Sequence, residues 1–229
     1  MNVSVRPDLK RLGWRLVRLV LGLFLYAVGI VLTMKAHVGY APWEVFHAGL
    51  GKAVGMTIGN VSILAGLVIV LAAHFLGERI GLGTLLNMVL IGVFMDILLR
   101  MGLFPPLTHL LPGVLLFLAG LFIIALATYF YIESGFGAGP RDSLMVALAR
   151  KTGLAIGLCR GTIELSAVLT GWFLGGMVGI GTVLSALAIG LCIQITFRVL
   201  RFDATRVRHE TLGETLRRLT GKSLTQPDG

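Results

Sequence analysis

Charge is scarce in this sequence. Asp, Glu, Lys and Arg make up 14% of its 229 residues, where a soluble domain carries roughly a quarter. A water-facing globule is thereby excluded, because the apolar surplus needs a non-aqueous surface to face. Cysteine is almost absent. Cys159 and Cys192 both sit inside apolar runs without metal-ligand spacing, so neither a disulfide framework nor a thiolate metal site is expected. They read as small packing residues. Segments alternating apolar with polar residues, the mark of a membrane β-barrel, are missing too. So are a nucleophile–base pair, a metal-ligand cluster and a phosphate-binding loop, which leaves enzyme chemistry without a carrier and no cofactor to expect.

What is present is apolar sequence in long runs. Hydrophobic residues make up 56% of the chain and the mean hydropathy is +0.90. A hydrocarbon core of roughly 30 Å takes about 20 apolar residues of helix. Such runs occur at about 15–34, 57–76, 82–100, 112–132, 156–176 and 180–199, parted by short breaks such as "GERIGLGT", "FPPLTHLLPG" and "GGMVGIGT". The first run follows basic residues, as in a signal peptide, but it is longer than a usual signal core and ends in Lys35 and His37 without a small-x-small cleavage pattern. It reads as a retained span. The lipid bilayer is therefore the first partner.

The formal net charge of +9 invites a nucleic-acid partner, but the placement of the basic residues argues against one. They crowd the two ends, as Arg6, Lys10, Arg11, Arg15 and Arg18, and as Arg198, Arg201, Arg206, Arg208, Arg217 and Arg218. Such clusters flanking spans report topology and headgroup contact. Both ends are expected in the cytoplasm, which requires an even number of spans, and six fits. The tail beyond about 201 reads as solvated, with one short helix at "TLGETLRRL".

The chain is written twice. Residues 22–100 align with 120–198 at a constant offset of 98 without a gap. "GLF" at 22–24 recurs at 120–122, "FLG" at 75–77 recurs at 173–175, and "GLGT" at 81–84 answers "GIGT" at 179–182. Each copy holds three spans, an odd number, so the second enters the membrane from the opposite side. The expected fold is an all-α polytopic membrane protein of six transmembrane helices in two inverted three-helix repeats. The divisions fall at 1–14 (basic N-terminus), 15–110 (first repeat), 111–200 (second repeat) and 201–229 (basic tail).

Each copy also carries "Gly-x-x-Pro-x-acid": Gly39, Pro42 and Glu44 in "GYAPWEV", and Gly137, Pro140 and Asp142 in "GAGPRDS". The stretches that follow, 42–52 and 140–151, rise only about 16–18 Å as helix, near half the hydrocarbon thickness. Proline suits the first helical position and an acid suits the first turn. Two readings stand. Each stretch lies flat at an interface, capped by its own carboxylate, or each is a re-entrant half-helix approaching the midplane from opposite sides, with a solute site between the copies. The second reading makes Gly39, Pro42, Glu44, Gly137, Pro140, Arg141 and Asp142 the ligand-binding candidates. Asp96, an ionisable group inside a span with only Arg100 nearby at i+4, joins them.

Arg160 and Glu164 stand one turn apart and read as a self-satisfying pair near the interface. Glu44 and His47 make a single E-x-x-H spacing, but the second copy has Met145 in place of the histidine, so no metal site is expected. Thr84 and Thr182 in the repeated "GhGT" motifs read as helix-start residues.

The runs "GYAPWEVFHAGL", "GLGTLLNMVLIGVFMDILLR", "GAGPRDSLMVAL" and "GIGTVLSALAIG" make the chain resemble the YczE/YyaS/YitT family of bacterial integral membrane proteins, nearest the YczE branch. The resemblance covers about residues 15–200. It departs from the family pattern at Ala41, where a serine or glycine often precedes the first proline. It implies the bacterial cytoplasmic membrane and carries over no functional residue. Two function classes follow from the residues themselves. One is a small-solute transporter or permease, with a small-molecule or ion substrate held between the repeats. The other is a non-transporting scaffold or accessory factor acting through a membrane partner protein. General architecture does not name a substrate.

Overall fold

The computed structural model describes residues 9–107 and 109–219. Arg6 and the side chain of Arg218 lie outside the described residues, as do parts of the expected 1–14 and 201–229 segments. The fold is helical, with no strand among the described residues. In order come α1 (Leu9–Lys35), α2 (Pro42–Val54), α3 (Ile58–Phe75), α4 (Leu82–Met101), α5 (Leu110–Glu133), α6 (Pro140–Thr152), α7 (Ile156–Phe173), α8 (Ile180–Val199) and α9 (Leu212–Leu219). Helices start at 42, 58 and 82 and again at 140, 156 and 180, each pair 98 residues apart.

Five helices, α1, α3, α4, α5 and α8, are long and apolar enough to cross a membrane. The sequence predicts six, and α7 is the exception. It is 18 residues long, as α3 is, but Arg160 and Glu164 interrupt its apolar run. α1 begins at Leu9 rather than near 15, because Lys10, Arg11, Arg15 and Arg18 extend the helix past its apolar part.

Small residues set the central packing. α1 and α5 run antiparallel in close contact, with Gly22 against Ala127 and Gly29 against Gly120. A Cβ on Gly29 would sit 2.8 Å from the Gly120 carbonyl oxygen, and one on Gly120 would sit 2.9 Å from that of Gly29. Only glycine allows this approach. Phe117, Leu121, Leu19 and Leu23 are buried around the crossing.

The short helices are exchanged. α2 packs on α7, and α6 packs on α3. The two "GhGT" starts are exchanged as well: the Gly83 N–H donates to the Phe136 carbonyl and the Gly181 N–H to the Val38 carbonyl, each at 2.7 Å. Phe136 and Val38 are themselves 98 residues apart. Thr84 and Thr182 accept from the N–H groups of Gly81 and Gly179 at 3.3 and 3.1 Å, the helix-start role expected of them.

The tail is not simply solvated. The Arg15 guanidinium pairs with Glu210 at 2.7 Å and donates to the Ser134 carbonyl at 2.8 Å. The Glu210 N–H reaches the Gly135 carbonyl at 2.8 Å, and Leu212 N–H reaches Ile80 at 3.0 Å. Thr215 is buried. Residues 210–215 are thereby docked against the turns leading into α4 and α6.

Candidate functional site

α2 and α6 begin alike. Pro42 and Pro140 occupy the first helical turn after the extended residues Ala41 and Gly139, and neither helix has a side-chain cap. Ahead of them Gly39 (φ +109°) and Gly137 (φ +119°) take backbone angles that side-chain-bearing residues rarely adopt. These glycines also lie against Gly179 and Gly81. The Tyr131 hydroxyl donates to the Gly137 carbonyl at 2.9 Å and fixes the second turn.

The two helix starts meet. The Arg141 guanidinium lies 4.5 Å from the centre of the Trp43 ring, and its Nη2 is 3.9 Å from Glu44 Oε1. Trp43 and Arg141 occupy equivalent positions, 98 residues apart. A cavity of about 150 Å³ lies on the α6 side of this contact, toward Gly139 and Pro140. A second, of about 80 Å³, lies on the α2 side, toward Ala41 and Pro42. Trp43, Arg141, Arg160 and Glu164 line both. Arg160 and Glu164 are paired at 2.8 Å. Asp142 is accessible on its surface, yet it lies deep among protein atoms, because what it faces is the larger cavity.

Of the sequence candidates, Pro42, Glu44, Pro140, Arg141 and Asp142 converge on these cavities. Gly39 and Gly137 shape the turns and do not line them. Asp96 does not join the site. Its carboxylate accepts from the Thr57 hydroxyl and from the Gly59 N–H, the latter at 2.9 Å, and holds the start of α3. Arg160 and Glu164 form the expected i,i+4 pair, but the pair stands in the cavity wall. The positions 98 residues earlier are Ser62 and Gly66, so a search for charge present in one copy alone would have marked both residues.

Trp43 and His47 were also missed as wall residues. Trp43 Nε1 and His47 Nδ1 are buried without a hydrogen-bond partner among the described residues, and both residues line the larger cavity. Among the described residues no three His, Cys, Asp or Glu side chains gather as for a metal ion.

Residues 13–198 match the family of unknown function DUF6198. The chain belongs to that family. It is 37% identical over 177 residues to the uncharacterized membrane protein YczE of Bacillus subtilis (strain 168), covering 76% of this chain and 81% of the relative. It is 35% identical over 182 residues to an uncharacterized protein of Haemophilus influenzae, covering 80% and 83%. It is 25% identical over 180 residues to the uncharacterized protein YyaS of B. subtilis, covering 76% and 88%. No solved structure matches. With its apolar spans, this DUF6198 chain is a membrane protein, and the cavities between its halves are what its own geometry adds.

Proposed function

We propose that the protein is a small-solute permease whose path runs through the two cavities, between two inverted three-helix repeats. The observation that carries this reading is the meeting of the α2 and α6 starts in the protein interior, with a cavity bearing charged side chains on either side of the Trp43–Arg141 contact. Helix starts bring free N–H groups and about half a positive charge each. Non-helical backbone at membrane depth is tolerated where it lines a wet cavity. A charged side chain at that depth costs about 2.5–3.5 kcal/mol on insertion scales, a cost that packing alone does not explain for Glu44, Arg141, Asp142, Arg160 and Glu164 together.

The reciprocal contacts support the inverted arrangement. α1 and α5 occupy equivalent places in the two halves, and they run antiparallel with matching contacts, Gly22–Ala127 and Gly29–Gly120. A two-fold axis relating them is perpendicular to both, hence in the membrane plane if both cross it. The ion pair from Arg15 to Glu210 brings the start of α1 and the tail together, which supports, with the positive-inside rule, a cytoplasmic position for both.

The test is cysteine accessibility in a background with Cys159 and Cys192 replaced. Asn87 lines the larger cavity and Ala41 the smaller. Asn87→Cys is expected to react with a membrane-impermeant thiol reagent from the cytoplasmic side, and Ala41→Cys from the opposite side. Proteoliposomes are then expected to pass small solutes faster than empty vesicles. Labelling of both from one side, or of neither, refutes the path.

A further inference from the structure

We infer that the solute this site takes is a small zwitterion, its ammonium group held by Asp142 and its anionic group by Arg141, Trp43 Nε1 and the starts of α2 and α6. The inference rests on the permease reading only for the location of the site. Three carboxylates, Glu44, Asp142 and Glu164, and two guanidiniums, Arg141 and Arg160, line the two cavities. Their formal sum is one negative charge. The two helix starts add roughly half a positive charge each, which brings the balance near zero. A solute with net charge of either sign is therefore not favoured over a neutral one.

Neutral is not the same as apolar here, because groups of both signs stand unmatched. Arg160 and Glu164 satisfy each other at 2.8 Å. Asp142 has no hydrogen bond or ion pair with any described residue, although it sits in the first turn of α6. Arg141 offers five donors, yet it makes no hydrogen bond among the described residues and only a loose 3.9 Å approach to Glu44. Trp43 is 9% exposed, and its Nε1, a donor only, lacks an acceptor in the cavity wall. Buried His47, 1% exposed, leaves Nδ1 unmatched beside it. One ligand that completes this set carries a cationic donor and an anionic acceptor a few atoms apart. The cavity of about 150 Å³ is below the roughly 300 Å³ at which drug-sized pockets begin, so the solute has few heavy atoms.

The experiment is thermal unfolding of the full chain in nanodiscs with glycine, β-alanine, γ-aminobutyrate and glycine betaine, against acetate, methylammonium and acetamide as controls. At least one zwitterion is expected to give a saturable rise in Tm. Acetate and methylammonium are each expected to bind at least tenfold more weakly, the single-charge penalty of a site built for both. Asp142→Asn and Arg141→Gln are each expected to weaken the zwitterion at least tenfold, and Asp96→Asn to leave its affinity unchanged. Acetate or methylammonium binding as tightly as any zwitterion overturns the inference and leaves the permease reading intact. Absence of any zwitterion response, with two-sided labelling of Asn87→Cys and Ala41→Cys in hand, likewise overturns the inference alone. Loss of that labelling removes the permease itself.

Discussion

The seating of α2 on α7 holds the Trp43 end of the site in place, and two alanine substitutions on one helix measure it. Gly161 and Gly171 both lie in α7. A Cβ on Gly161 meets nothing within 4 Å, whereas one on Gly171 would lie 2.5 Å from Phe46 Cα. Carbon atoms rest about 3.5–4.0 Å apart, so α2 would have to retreat by on the order of 1 Å. What it meets is backbone, which cannot swing aside as a side chain would. Glycine to alanine gains roughly 1 kcal/mol in a helix interior, and that term is common to both substitutions. Their difference therefore isolates the overpacking cost, about 1–3 kcal/mol. Gly161→Ala is expected to unfold later than the parent and Gly171→Ala earlier. The assay is titration of the folded protein in mixed micelles with a denaturing detergent, with a thermal melt beside it; a chain of this size shifts by about 2–4 °C per kcal/mol. Equal stability of the two variants refutes the contact, and with it the exchanged placement of the short helices.

Three further outcomes follow from the geometry. Asp96→Ala removes the acceptor for Thr57 and Gly59 at the start of α3, and a lost cap costs about 0.5–2 kcal/mol; detergent unfolding reads the loss. Arg15→Ala breaks the bonds to Glu210 and Ser134; hydrogen bonds to charged groups contribute about 1.5–3 kcal/mol, so amide exchange over 210–219 is expected to speed at least tenfold while α1 and α5 are unchanged. Glu214 accepts from the Thr211 backbone N–H at 2.7 Å, and that bond above all holds its carboxyl below the usual range. A depressed carboxylate adds stability that is present above its ordinary value, about 4.3, and lost as pH falls through the lower folded value. Protection of α9 is thus expected to be full at pH 6 and to fall in strongly acidic solution, with Glu214→Gln removing the step.

Much of the frame was legible in local chemistry. Pro42 and Pro140 each follow a glycine turn and open a helix at the position the sequence indicates. The ends ran two residues and one residue long because the left-handed caps are Gly55 and Gly153. Five apolar runs were readable by length alone. The remaining run, α7, falls short of the others in apolarity because Arg160 and Glu164 interrupt it, and the run alone does not say that these two charges line a cavity. Longer-range partners were the harder part. Asp96 had Arg100 as its sequence neighbour, but its partners stand 39 and 37 residues away. Glu210 finds Arg15 across 195 residues, and no periodicity in a polar tail announces that docking.

The asymmetry between equivalent positions is the strongest argument that the cavities are more than a packing gap. At the turns ahead of the short helices the halves agree: Gly39 with Gly137, Gly81 with Gly179, Pro42 with Pro140. At three pairs of equivalent positions that line the larger cavity they differ in charge, Trp43 against Arg141, Ser62 against Arg160 and Gly66 against Glu164, while Ile91 and Ile189 there agree. A void filled only for stability favours apolar groups, since each ion at membrane depth costs about 2.5–3.5 kcal/mol. Beside the carboxylates present in both copies, Glu44 and Asp142, the second copy alone adds Arg141, Arg160 and Glu164, which gives the site an axis of polarity. A solute with unlike ends needs that polarity to bind in one orientation.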